Sequence, residues 1–245
     1  MDHFIFSQIT KVKQLAPNER FQILVLISIS LVVIGLAGIL YLRNKQFFQA
    51  FIGKFNPLIA FVLVILLGII LLTFLLTRGW FSIIGKETLE GLLSSSILAS
   101  LLALVAILVD MWVVFPEDMN VAFPESLLFY PIVGYFVEIL FHVFPLTGLL
   151  ILLTSLSKNY EFDRVVWICI LIVSLLEPIF QIIYGSSSQK PLWSARFVGL
   201  HLFFFNLLQL YLFKRYDFVS MYSFRLVYYL LWHIVWGHLR LSVLF

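Results

Sequence analysis

The chain has almost no cysteine and little charge. Its single cysteine, Cys169, stands in an apolar run, which excludes an intramolecular disulfide and a thiolate-rich zinc site. Charged residues are 12% of the chain, against roughly 25% in soluble domains, so a water-facing shell around one soluble core is excluded. The first twenty residues lack a short apolar stretch closed by small residues, and no secretory signal is expected there. Phe4, Ile5, Ile9 and Val12 share one helical face, which predicts an N-terminal interfacial segment over 1–20, with a polar tail as the other reading. A net charge of +3 gives no case for a nucleic-acid partner. The basic residues stand mainly in connections, where they meet lipid headgroups.

Apolar sequence is abundant instead: 62% of the 245 residues are hydrophobic. It falls into seven runs near the ~20 residues that cross a bilayer as a helix. They cover about 22–42, 57–77, 92–115, 127–155, 164–184, 193–213 and 219–241. Continuous rather than alternating apolar sequence favours helices over a barrel. The expected fold is therefore all-α, a polytopic transmembrane bundle of about seven helices. It divides into the segment 1–20, three helices within 21–126 and a core within 127–241. The fourth span is too long for one straight crossing, and Pro145 is expected to kink or split it. The loop FPEDMNVAFPES (115–126) carries Glu117, Asp118 and Glu125 without Lys or Arg, as translocated loops do. Lys11, Lys13, Arg20, Arg78, Lys86, Lys158, Arg164, Lys214 and Arg215 fall on the N-terminal side. Arg43, Lys45, Lys54, Lys190, Arg196 and Arg240 fall on the other. That balance predicts a cytoplasmic N-terminus.

Ionisable residues inside these runs each need a reason, because a charged side chain at membrane depth costs at least ~2.5–3.5 kcal/mol. Counting ~1.5 Å per residue from the acidic-loop side puts Glu138 at ~16 Å, His201 and His233 at ~12 Å and Glu177 at ~10 Å. Four helices thus place a titratable group at similar depth. Asp110 and His238 lie shallower on that side. Arg225 reads as lying near the opposite end, placed to snorkel or to pair with a loop acid. His142 follows Glu138 by four residues, so a Glu138–His142 pair on one helical face is easy. A carboxylate desolvated in lipid can take a proton from water, and a histidine beside it can help. A second histidine can donate to a developing oxyanion. Glu138, His201 and His233 would also be a zinc ligand set if a metal were bound. The plainer reading makes His201 and His233 interior side chains that bridge helices by hydrogen bonds.

Three segments resemble the motifs of the CPBP family, the intramembrane type II CAAX prenyl proteases and bacteriocin-processing proteins. VEILFH (137–142) is similar to EExxxR, with Glu138 on the second Glu. FVGLH matches FxxxH from Phe197 to His201. HIVWG supplies His233 of HxxxN, with Arg225 upstream. The resemblance covers roughly 127–241. It implies an intramembrane endopeptidase of a prokaryotic cell membrane, acting on a membrane-associated peptide or protein, with no required cofactor and zinc possible. It implies a water held by a Glu with His201, and an oxyanion faced by His233. Val137 departs from the first Glu, His142 from the Arg and Gly237 from the polar ending. Glu138 points about 100° around the helix from Val137, so Glu138 or Glu177 would have to serve as the base. His238 could replace the missing polar group only if the helix end were distorted. Two further readings stand beside hydrolysis. One is a catalytically degenerate homologue acting as a scaffold or as a peptide or lipid binder. The other is a proton-coupled carrier, for which no inverted repeat is visible.

Overall fold

The computed structural model describes residues 15–44, 56–156, 161–185 and 192–245. Most of the expected interfacial segment therefore lies outside the described residues. Those described form an all-α bundle without strands. Seven helices are long and apolar enough to cross a membrane, which makes the chain an integral membrane protein.

Helix α1 runs Pro17–Arg43, α2 Pro57–Thr77 and α3 Thr88–Val113. Helix α4 runs Ser126–Leu156. The fifth crossing is α5 (Phe162–Ser174) followed by α6 (Leu176–Gly185), the sixth is α7 (Leu192–Arg215) and the seventh is α8 (Phe218–Val243). Proline opens both α1 and α2, where its missing N–H costs nothing. Gly79 ends α2 at φ +66, a left-handed turn that only glycine takes without strain.

Two helices carry π-helical turns, α4 over Glu138–Val143 and α8 over Tyr229–Trp236. The expected kink or split at Pro145 takes this form. The helix stays continuous, and its widened turn lies just before the proline, whose missing N–H cannot bond the Phe141 carbonyl. The real break is in the fifth crossing. Pro178 cannot bond the Ser174 carbonyl, and Asn206 of α7 donates to that oxygen at 3.4 Å. The interruption at Leu175 brings Glu177 into the bundle, where it is 5% exposed.

Helix α3 packs on α8 through a stripe of small residues. Gly91, Ser95, Ala99, Ala103 and Ala106 are buried at helical spacing and lead to buried Asp110. Small side chains let backbones approach closely in lipid, where dispersion and polar contacts replace the hydrophobic drive. The Ser95 hydroxyl donates to the Ser220 carbonyl at 2.7 Å. Both ends of α8 are tied to α3. At the start, Asp217 accepts from the Ser220 backbone at 2.8 Å and from the Thr88 hydroxyl. At the end, Arg240 meets Asp110 at 2.7 and 3.0 Å, and Trp236 donates to the same carboxylate at 2.7 Å. Arg240 also donates to the carbonyls of Phe115 and Pro116 at 2.6 and 2.9 Å, which straps the acidic loop to the bundle. Arg240 is thus a buried partner of Asp110, not a flanking charge.

A Cβ at Gly91 would lie 2.1 Å from the Ser220 hydroxyl oxygen and 2.9 Å from Ser220 Cβ and Tyr216 Cγ, whereas one at Gly35 would meet nothing within 4 Å. Gly91→Ala is expected to cost ~1–3 kcal/mol as α3 and α8 are pushed apart. Gly35→Ala should be neutral or stabilising by up to ~1 kcal/mol. Thermal unfolding of both variants in detergent checks the contrast.

Candidate functional site

The polar residues at membrane depth separate into two neighbouring groups. The first centres on Arg225, which is 1% exposed. Its Nε donates to Glu138 at 2.6 Å. Its Nη1 donates to the Tyr229 hydroxyl at 2.8 Å. Its Nη2 donates to Glu177 at 3.0 Å and to the Gln209 carbonyl oxygen at 3.1 Å. The Gln209 amide donates in turn to Glu138. The guanidinium also lies over the Phe205 ring, 5.0 Å from its centroid. Helices α4, α6, α7 and α8 therefore meet at one cation. Arg225 is not a snorkelling residue near a membrane face. Helix α8 begins at Phe218, so seven residues of helix carry Arg225 ~10 Å inward.

His142 completes this group. Its Nδ1 lies 3.2 Å from Glu138 Oε2, and its Nε2 lies 3.9 Å from Glu177 Oε2. The easy i, i+4 pairing of Glu138 and His142 is thus realised in the π-helical turn. The expected partnership of Glu138 with His201 is not. Oε1 of Glu138 accepts from Arg225 and Gln209, and Oε2 faces His142.

The second group holds the two motif histidines. His201 Nε2 bonds the Tyr228 hydroxyl at 2.9 Å, and its ring stacks on Phe197 of the FxxxH motif at 5.5 Å. His233 donates from Nδ1 to Asn120 Oδ1 at 2.6 Å. The His233 ring stacks on Tyr130 at 4.6 Å and meets Tyr229 edge-on at 5.0 Å. Tyr228 faces both histidines, with ring separations of 5.8 and 6.3 Å. The two histidines are thus brought to one aromatic wall, and Tyr229 joins that wall to Arg225.

Asn120 was invisible to motif reasoning because it comes from the acidic loop. A Cβ at Gly237 would sit 3.0 Å from Asn120 Nδ2, so the missing side chain at 237 leaves the space this amide enters. His238, the proposed substitute, is exposed and packs beside Phe123. Gln209 had a signal in sequence, an amide inside the apolar run NLLQLYL. Tyr228 and Tyr229 are buried, and nothing in the apolar run singles them out from its other aromatic residues.

Among the described residues no three His, Cys, Asp or Glu side chains converge as metal ligands. Glu138, His201 and His233 do not fit the zinc set. Glu138 is paired with a guanidinium that repels a cation, and the histidines turn to Tyr228 and Asn120. No family model, curated protein or solved structure matches the chain.

The chemistry open to the second group follows from its donors and acceptors. With Nδ1–H given to Asn120, a neutral His233 keeps Nε2 as an acceptor. Asn120 Nδ2 is a buried donor without a partner among the described residues. The C=O and N–H of a peptide amide are a matching acceptor and donor for these two groups.

Removing the central cation strands both carboxylates. Arg225→Met is expected to lower stability by ~3–5 kcal/mol. Arg225→Lys should not rescue it, because an ammonium cannot span four acceptors on four helices as a planar fork does. Arg164→Ala, which breaks an exposed pair with Glu161, should change stability by only ~0–1 kcal/mol. Chemical denaturation in mixed micelles measures all three.

Proposed function

We propose that this chain is an integral membrane protein of the CAAX-protease type that binds a membrane-associated peptide or protein without hydrolysing it. One observation carries the reading. The carboxylate left in the first motif, Glu138, is held by Arg225 and Gln209, while His201 pairs with Tyr228. A water at His201 would have no free carboxylate beside it to act as base, because Val137 stands at that motif position. The amide of Asn120 and the ring of His233 remain to hold a peptide bond. The membrane is a prokaryotic cell membrane by the same resemblance. The N-terminus is cytoplasmic, a reading strengthened when buried Arg240 leaves the count of flanking charges. A reporter fused after Phe245 should be non-cytoplasmic.

A second reading, hydrolysis, is favoured by the 3.2 Å approach of His142 Nδ1 to Glu138 Oε2. One assay separates the two. The full chain in nanodiscs is offered membrane-anchored peptides, farnesylated and unmodified, each carrying a photo-crosslinker. The expected result is crosslinking that falls at least tenfold in Asn120→Ala and His233→Phe, with no cleavage. Val137→Glu, which restores the carboxylate that the motif lacks, is expected to gain cleavage. Cleavage by the unaltered chain that Glu138→Gln abolishes would establish the second reading and sink the first. Absence of any crosslinking would sink both.

A further inference from the structure

We propose that Val114 is a positioning residue, a strained turn that aims the acidic loop, and with it Asn120, at His233. Its meaning for function rests on the reading that Asn120 and His233 hold a peptide amide.

Val114 ends α3 at φ +55 and ψ +92, and among the described residues it is the only one besides glycine with a positive φ. A β-branched side chain crowds the backbone there, and helices that end in a left-handed turn commonly use glycine. Helix α2 does so at Gly79. Packing of the side chain does not account for the exception, since Val114 is 43% exposed. A residue persists in such a conformation only where its surroundings over-determine it, and such residues gather at functional sites.

The surroundings here are one carboxylate and one guanidinium. The Val114 N–H donates to the Asp110 carbonyl, and the Phe115 N–H donates to Asp110 Oδ1, both at 2.8 Å. Arg240, held by the same carboxylate, donates to the Phe115 and Pro116 carbonyls at 2.6 and 2.9 Å. Peptide groups on both sides of Val114 are thus clamped, and Pro116 restricts the residue before it. Further along the loop, Asn120 Oδ1 meets His233 at 2.6 Å, and the Val121 N–H donates to the Tyr130 hydroxyl at 3.0 Å. The side chains of Glu117, Asp118 and Met119 between these anchors are exposed. The direction the chain takes at Val114 therefore decides where Asn120 arrives. Glycine would make this turn without strain, but would also allow others. A clamped valine has one conformation, so the chain gives up stability at 114 for a fixed aim.

Val114→Gly separates aim from stability. In the full chain in nanodiscs it is expected to raise the melting temperature by roughly 2–4 °C as strain is relieved. Crosslinking to the membrane-anchored peptides should fall about threefold, because the loop must then be ordered on binding. A residue that served only the fold would move both measures the same way. In an Asn120→Ala background Val114→Gly should cause no further loss. Spin labels report the aim without peptide. They are placed at Asp118→Cys and Leu42→Cys, two exposed positions, in a Cys169→Ala background. The distance distribution between them should be narrow in the parent and broader in Val114→Gly. An unchanged or lower melting temperature, an unchanged distance distribution, or crosslinking that Val114→Gly leaves intact overturns the proposal. A parent chain that crosslinks no peptide sinks the peptide reading instead, and melting and label distances still decide whether Val114 aims the loop.

Discussion

The bundle depends on a charge that lipid cannot hold alone. Arg225 sits where hydration is absent, so its donors must be satisfied by protein. They go to Glu138, Glu177, Gln209 and Tyr229, and each bond reaches a side chain set by a different local device. The π-helical turn of α4 holds Glu138. The break before Pro178 turns Glu177 inward. Gln209 comes from α7, where it also donates to the Met221 carbonyl at 3.4 Å. No single helix could keep this residue buried. The requirement to satisfy it fixes how α4, α6, α7 and α8 are rotated against one another.

The helix that carries Arg225 is held along its whole length. Asp217 and Thr88 tie its start, the small-residue stripe of α3 lies along its body, and Asp110 with Arg240 closes its end. Arg225, Tyr228, Tyr229 and His233 therefore project from a rigid support, which suits a site whose side chains must keep their spacing. The strap from Arg240 to the carbonyls of Phe115 and Pro116 extends that rigidity to the loop that delivers Asn120.

The seven-helix fold was legible because span length and continuous apolar sequence are local properties. Depth was legible for a similar reason, since rise per residue is constant along a helix. Direction around the helix was not. It changes by about 100° per residue, and a π-helical turn resets it at both Glu138 and His233. So Glu138 and His201, at similar depth, face different partners. Arg225 differs from its expected role through its partners rather than through a boundary, since the run expected over 219–241 starts within one residue of the helix that Asp217 caps, and the carboxylates that draw the guanidinium inward come from other helices. Asn120 could not be found from any helical pattern, since it reaches His233 from a loop distant in sequence.

The departures from the CAAX-protease pattern are not equivalent once the contacts are known. Where that pattern has Arg, this chain has His142, and Arg225 of another helix bonds the adjacent carboxylate instead. Where the pattern has a polar ending, this chain has Gly237, and Asn120 brings an amide into the space. Both sets of contacts hold helices or a loop in place. Val137 has no such answer, because no carboxylate among the described residues pairs with His201. A base for water is the one function that packing does not require, since an apolar Val137 side chain brings no polar group that needs a partner. Stability alone can therefore maintain the arginine and the asparagine, but not a catalytic glutamate.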